Sequence, residues 1–406
     1  MKYKLVLTSM VLGAIACSTS AVVGAVDIAP QVTDTAKHDA VKSNWMDRTD
    51  IAVGVQTGGQ SKLDKGHFLT DDLDTIYNKQ SDYGNLTKAY IETLQPISHY
   101  DENSKSILFV QGRIGRGGEK IASKELRGYL LPEIVINRHG QSSYTKINTD
   151  EKSSETLGII GTVGIGYRRL SRNEHAYVGV NAFVDRAFTD NYNRISGGVE
   201  YVNGLNEVYA NVYRGLGNKD LVKGSGGTPY PKRLYPNGYP DSFPYGTIPS
   251  ENYYTYKGGR ALGGYEIGFA RSFKNARWAR AYADVYKWRS GHGASQFTAF
   301  VGSQDWTYKF QGGEKRHGWN LGLGLQLTPQ LSVDLGYEHD SQNLSGTYGF
   351  VKYTLGKSKF AWHGGKHSDD TITNARARML DKVERNSMQA ESSYEEDWFA
   401  QPVGHI

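Results

Sequence analysis

Gly112-Arg113-Ile114-Gly115-Arg116-Gly117-Gly118-Glu119-Lys120 brings several glycines up to a lysine, the composition of a phosphate-cradling loop. Such a loop needs GxxxxGK followed by Ser or Thr, whose hydroxyl binds magnesium. Neither the spacing nor the hydroxyl is present, and glycines of a strand account for the run. His363 and His367 stand four apart, as two metal-binding imidazoles on one helical face would. The intervening Gly364-Gly365 breaks that helix, and no Glu follows His363. The single cysteine, Cys17, lies near the N-terminus, so a thiolate zinc site is excluded from the rest of the chain. Hydrolysis would need a serine, histidine and carboxylate brought together. His339-Asp340 and His292 fall at expected strand ends, and His175 falls in a turn on the opposite side. No serine sits in a nucleophile elbow. These residues imply no catalytic, cofactor-binding or metal site, no cofactor, and no enzyme.

Two other sets of side chains are candidates for binding. Residues 218–257 hold six of the eleven prolines, together with Tyr230, Tyr235, Tyr239, Phe243, Tyr245, Tyr253 and Tyr254. Proline stiffens a loop, and tyrosine offers contact area at small entropic cost. That composition suits a surface-binding loop; the alternatives are a lid packed on a barrel mouth or an interfacial aromatic cluster. Nearer the C-terminus, residues 372–388 have helical spacing. Ile372, Ala375, Met379 and Val383 form a narrow apolar stripe flanked by Arg376, Arg378, Lys382 and Arg385. On spacing alone this reads as an ordinary solvated amphipathic helix.

Period-two alternation must position these residues. Trp319, Leu321, Leu323, Leu325 and Leu327 alternate with Asn320, Gly322, Gly324, Gln326 and Thr328. After Pro329 the pattern restarts, with Leu331, Val333, Leu335 and Tyr337 opposite Ser332, Asp334, Gly336 and Glu338. Runs of about 10 residues cross a bilayer when tilted. One apolar face, one wet face, and aromatics such as Trp319, Tyr337 and Tyr353 near strand ends fit a transmembrane barrel better than a soluble sandwich. Twelve strands are expected: 105–117, 156–169, 175–187, 193–203, 206–216, 261–273, 279–290, 295–302, 305–311, 316–328, 331–341 and 346–355. Tight links at 171–174, 203–205, 274–276, 303–305 and 328–330 then fall on one side, and the longer connections 118–155 and 217–260 on the other.

Composition agrees. Glycine makes up 48 of 406 residues and tyrosine 28, with a hydrophobic fraction of 38%. No apolar run is long enough for a membrane helix. Residues 1–25 read as a cleaved signal peptide: Lys2 and Lys4, then an apolar stretch from Leu5 to Ala16, then small residues to Ala25. Removing its two lysines from a net charge of +5 leaves about +3, with no clustered basic face for nucleic acid. The division expected is signal peptide 1–25, periplasmic lead-in 26–104, barrel 105–356, and C-terminal linker and tail 357–406.

Several stretches, in order, resemble the β-domain of inverse autotransporters, the intimin and invasin family. They are Glu92-Thr93-Leu94-Gln95-Pro96, Ser106 to Arg113, Gly164-Ile165-Gly166-Tyr167-Arg168, Gly179 to Asp185, Gly197 to Tyr201 and Ala210 to Tyr213. Gly264-Tyr265-Glu266-Ile267, Leu325 to Pro329 and Val383-Glu384-Arg385-Asn386 continue the series. The resemblance covers roughly residues 90–388. It implies an all-β, 12-stranded antiparallel outer-membrane barrel whose C-terminal linker enters the lumen and carries a passenger outward; the helix over 372–388 could then lie in the hydrated lumen, its cations pairing with Asp185, Glu200, Asp334 and Glu338. The chain stops 20 residues after Asn386, so the expectation is a barrel without that passenger.

Three functions are compatible with the sequence. One is an outer-membrane barrel of the inverse autotransporter type, acting as a membrane anchor or translocation-type barrel, or as a surface interaction protein through its extracellular loops. Another is a general porin for small solutes, and the third is an outer-membrane hydrolase. The expected partners are outer-membrane lipid and lipopolysaccharide, the barrel-assembly machinery, and an unidentified host or surface ligand, with no nucleic acid.

Overall fold

The computed structural model describes residues 44–57, 61–70, 73–82, 86–101, 103–130, 145–217, 221–228, 248–289, 295–301, 304–310, 315–341, 345–357, 362 and 375–403. The expected signal peptide lies outside these residues. The first strands are β1 (Thr49–Gln56), β2 (Ser61–Thr70), β3 (Leu73–Asp82), β4 (Leu86–Pro96), β5 (Ser106–Arg116), β6 (Glu119–Leu130) and β7 (Thr145–Glu155). There follow β8 (Ile159–Leu170), β9 (Ala176–Ala187), β10 (Tyr192–Asn203), β11 (Asn206–Leu216), β12 (Leu221–Thr228), β13 (Ile248–Ala261) and β14 (Gly263–Phe273). The last are β15 (Ala276–Arg289), β16 (Ser295–Val301), β17 (Gln304–Phe310), β18 (Lys315–Gln326), β19 (Leu331–Asp340), β20 (Gly346–Thr354) and β21 (Gln389–Val403), with one helical turn, α1 (Ala375–Arg378), before β21.

Twelve strands close an antiparallel barrel in the order β1-β20-β19-β18-β15-β14-β11-β10-β9-β8-β5-β4. Closure occurs where β1 pairs with β20 on one side and β4 on the other. A closed ring satisfies its backbone groups internally, as a hydrocarbon environment demands. The alternation does what the sequence implies. Val178, Val180 and Val184 are exposed on the outside of β9, while Tyr177, Phe183 and Asp185 are buried inside. No helix among the described residues is long and apolar enough to cross a membrane.

The expected count of twelve stands, but its membership changes. β1 and β4 lie in the stretch read as a lead-in, so the barrel begins at Thr49 rather than 105. β1 has only Ile51, Val53 and Val55 on its apolar face, too short a run to stand out from polar surroundings. Conversely, the expected strands 295–302 and 305–311 become β16 and β17, which pair only with each other. At seven residues each, they are shorter than a bilayer crossing requires.

The two barrel ends differ. One carries short links, including the two-residue connection from β10 to β11 at Gly204, whose φ of +52° favours glycine. The other carries the hairpins β2–β3, β6–β7, β12–β13 and β16–β17. Four of the five expected tight links lie at the short-turn end; 303–305 joins β16 to β17 among the hairpins. Three hairpins and β21 form a second sheet, in the order β12-β13-β21-β6-β7-β2-β3. β21 sits within it, antiparallel to β13 and parallel to β6.

Inward glycines make room for aromatic rings across the ladder. A Cβ on Gly164 would meet the Phe183 ring at 2.0 Å, and one on Gly322 the Tyr282 ring at 2.1 Å. Part of the high glycine and tyrosine content is therefore steric pairing inside the barrel.

Candidate functional site in the lumen

Residues 375–389 run through the barrel from the short-turn end to the hairpin end, held by side chains of the wall. At the entrance the Tyr100 hydroxyl donates to the Arg376 carbonyl at 2.7 Å. Burial pushes the Tyr100 phenol pKa up, so it stays a neutral donor. The Arg376 guanidinium donates to the Ser104 carbonyl and pairs with Glu174 at 3.0 Å. Arg378 donates to the Gly204 carbonyl at 3.1 Å and pairs with Glu207 at 2.5 Å. In the β4–β5 turn the Ser104 hydroxyl donates to Asp101 at 2.6 Å and holds that carboxyl below its ordinary pKa, with backbone donors adding to the effect.

Deeper in, Arg168 on β8 is fully buried. It pairs with Glu200 through two bonds, 2.5 and 3.0 Å, and donates to the carbonyls of Met379 and Asp381. Lys382 pairs with Asp50 on β1. The Val383 amide donates to Gln111 at 2.9 Å, and Asn211 donates to the Glu384 carbonyl at 2.9 Å. Arg385 grips Asp185 through both nitrogens, at 2.8 and 2.6 Å. Arg194 also pairs with Asp185, at 2.9 Å, and donates to the carbonyls of Asn386 and Ser387. The Asn386 amide donates to Glu266 at 3.1 Å.

The expected helix over 372–388 is confined to α1. The physical reason is visible in the contacts just described. The carbonyls of Met379, Asp381, Glu384, Asn386 and Ser387 accept bonds from the barrel wall rather than from amides four residues on. The apolar stripe survives the change of backbone: Ala375, Met379 and Val383, with Leu380, pack into a buried cluster with Leu94, Phe109, Leu170, Tyr177 and Phe183. Ile372 lies outside the described residues. Thus Arg376, Arg378, Lys382 and Arg385 each meet a carboxylate, although of the four partners proposed from sequence only Asp185 is used. Glu200 pairs with Arg168 on the wall, Asp334 with Lys352, and Glu338 lies near Arg316.

At the hairpin end the segment is clamped between barrel and sheet. The Glu119 amide donates to the Met388 carbonyl at 3.1 Å, and Leu262 donates to the Gln389 carbonyl at 2.8 Å. Arg316 on β18 donates to the Gln389 side chain at 2.6 Å and pairs with Glu119 at 2.8 Å and with Asp340. Burial alone would raise the Glu119 pKa, but Arg316 and Lys88 hold it below its ordinary value. Arg168, Arg194 and Arg316 were missed from sequence. Each is the lone basic residue of an alternating strand's wet face, and that pattern is the signal that could have found them.

Of the candidate surface-loop residues, Tyr230, Tyr235, Tyr239, Phe243 and Tyr245 lie outside the described residues. Tyr253 and Tyr254 belong to β13, opposite Trp398 and Asp397 of β21. His339 and Asp340 point to opposite faces. His339 lies outside, its ring tilted beside Trp319 with centroids 5.6 Å apart, while Asp340 is buried inside, so they form no dyad. Among the described residues no group of three His, Cys, Asp or Glu could hold a metal ion.

Residues 139–387 match the family described as inverse autotransporter, beta-domain. No curated protein matches the chain. Similar solved structures include one described as "Unveiling the Mechanism Behind the in-meso Crystallization of Membrane Proteins". It has 12% identity and a TM-score of 0.41, over 82% of this chain and 99% of that one. The translocator domain of autotransporter NalP from Neisseria meningitidis has 11% identity and a TM-score of 0.24, over 79% of this chain and 92% of that one. The beta domain of the Bordetella autotransporter BrkA has 8% identity and a TM-score of 0.23, over 75% and 99%.

Proposed function

The chain belongs to the inverse autotransporter β-domain family, and from that premise we propose that this outer-membrane barrel carries its own C-terminal segment through the lumen and anchors it at the cell surface. Outer-membrane barrels place short turns in the periplasm and long connections outside. In that orientation the chain leaves β20 in the periplasm, passes inward at α1, and emerges as β21 within a surface sheet. The observation that carries this reading is the unbroken series of wall contacts from Tyr100–Arg376 to Arg316–Gln389. Export through a cleaved signal at residues 1–25, insertion by the barrel-assembly machinery into lipid and lipopolysaccharide, and contact with a surface ligand through the outer hairpins belong to the same proposal. An epitope tag after Ile406, probed on intact cells, tests it. Labelling from outside is expected, and labelling only after permeabilisation overturns it.

A further inference from the structure

The threaded segment does not fill the lumen evenly. Along β8 every inward residue from Ile160 to Leu170 is buried, because the segment and its apolar cluster press against that wall. Across the barrel, on β18, β19 and β20, most inward positions remain reachable by water. That exposure is graded along the axis. On β19 the side chains fall from 18% exposed at Asp334, through 13% at Glu338, to 0% at Asp340. On β15 they fall from 26% at Arg280 near the short turns to 1% at Trp288 near the hairpins. A Cβ on inward Gly324 would have no neighbour nearer than a carbonyl oxygen at 3.8 Å.

We infer that a water-filled vestibule runs beside the threaded segment along β15 and β18–β20, open at the short-turn end and sealed at the hairpin end by the buried cluster of Arg316, Glu119 and Asp340. The barrel is therefore a latent channel for small hydrated ions. Its lining pairs Lys352 with Asp334, Lys382 with Asp50 and Arg280 with Glu384, so neither sign of ion is strongly excluded. The seal is made jointly by two parts of the molecule. Arg316 and Asp340 belong to the wall, whereas Glu119 opens β6 and Gln389 opens β21, both in the outer sheet. Displacing the sheet removes two of the groups that Arg316 binds. A buried cation deprived of its partners draws in water, so the seal and the sheet are held or lost together.

The inference rests on the proposed orientation only for which end is called outer. Single-channel recording of the full chain in planar bilayers with potassium chloride tests it, using Arg316→Ala and Glu119→Ala, each also carrying the C-terminal tag. The expected result is little steady current in the unmodified chain and a tenfold or larger rise in either variant, with the tag still reached from outside on cells. Adding Gly324→Trp should return the current towards its original level, because the indole fills the vestibule. If Arg316→Ala loses its heat-modifiable band on gels, Glu119→Ala, which lies outside the barrel wall, carries the test. Variant currents equal to the original overturn the inference, as does a current that Gly324→Trp leaves unchanged. A current that rises only as the tag becomes inaccessible also overturns it, since the segment has then left the lumen. A tag inaccessible in the unmodified chain counts against the anchoring proposal alone.

Discussion

Arg385 and Asp185 lie 200 residues apart and meet in the barrel through two parallel bonds, at 2.8 and 2.6 Å, with both side chains buried. Asp185 is shared with Arg194, which also holds the Asn386 and Ser387 carbonyls. A single carboxylate thus ties the threaded segment to the wall side chain that orients it.

Arg385→Ala should lower the stability of the folded barrel by about 2–3 kcal/mol. That is less than the ~3–5 kcal/mol typical of stranding a buried ion, because Asp185 keeps Arg194. The temperature at which the compact gel band gives way to the unfolded one reads this directly. Arg385→Lys should recover only part of the loss, since an ammonium cannot reproduce the two-pronged geometry. Full recovery by lysine would mean that only charge matters at this position.

Gly164→Val is expected to be more damaging than its size suggests. Its Cβ would enter the Phe183 ring at 2.0 Å, and Phe183 is part of the cluster that seats Met379 and Val383. Overpacking typically costs about 1–3 kcal/mol. The double change Gly164→Val with Phe183→Ala should be milder than the sum of the two single changes, measured by the same gel transition.

Ala390→Pro should split the seven-stranded sheet at the hairpin end while sparing the barrel. Ala390 is buried and pairs with Lys120 on one side and Ala261 on the other. Proline removes one of those bonds and is confined in sheets to edge strands, first residues and bulges. Protease added to intact cells should then cut the hairpins faster, with heat-modifiability kept. An unchanged cleavage rate would show that β21 is not needed to hold them.

Acid should loosen the clamp between barrel and sheet. Glu119 is held below the ordinary glutamate pKa of about 4.3 despite its burial, because Arg316 and Lys88 favour the carboxylate. A depressed value contributes stability that is complete above the ordinary pKa and declines as pH falls through the folded one. The difference in gel-transition temperature between the unmodified chain and Glu119→Gln should therefore be constant from pH 7 down to about 5 and shrink below about 4. A difference that stays the same at pH 3 would argue against an ionised Glu119.

Much of the wall was legible because lipid on one side and water on the other impose a two-residue period. The run from Trp319 to Asp340 states its own register. β1 was not legible, since its three apolar residues gain meaning only when β20 and β4 flank them. The hairpin β16–β17 misled for the converse reason: it alternates, but nothing local says that it pairs with itself instead of joining the ring.

In the lumen the sequence by itself determined which chemistry is present: an apolar stripe at Ala375, Met379 and Val383, and cations at Arg376, Arg378, Lys382 and Arg385. Tertiary structure alone decided the backbone that carries them. Helical spacing predicts bonds within the segment, yet Arg168, Arg194 and Asn211 on distant strands claim its carbonyls once the ring has closed around it. A backbone group takes whichever satisfying partner the enclosing wall offers, and these three lie more than 170 positions away in the chain.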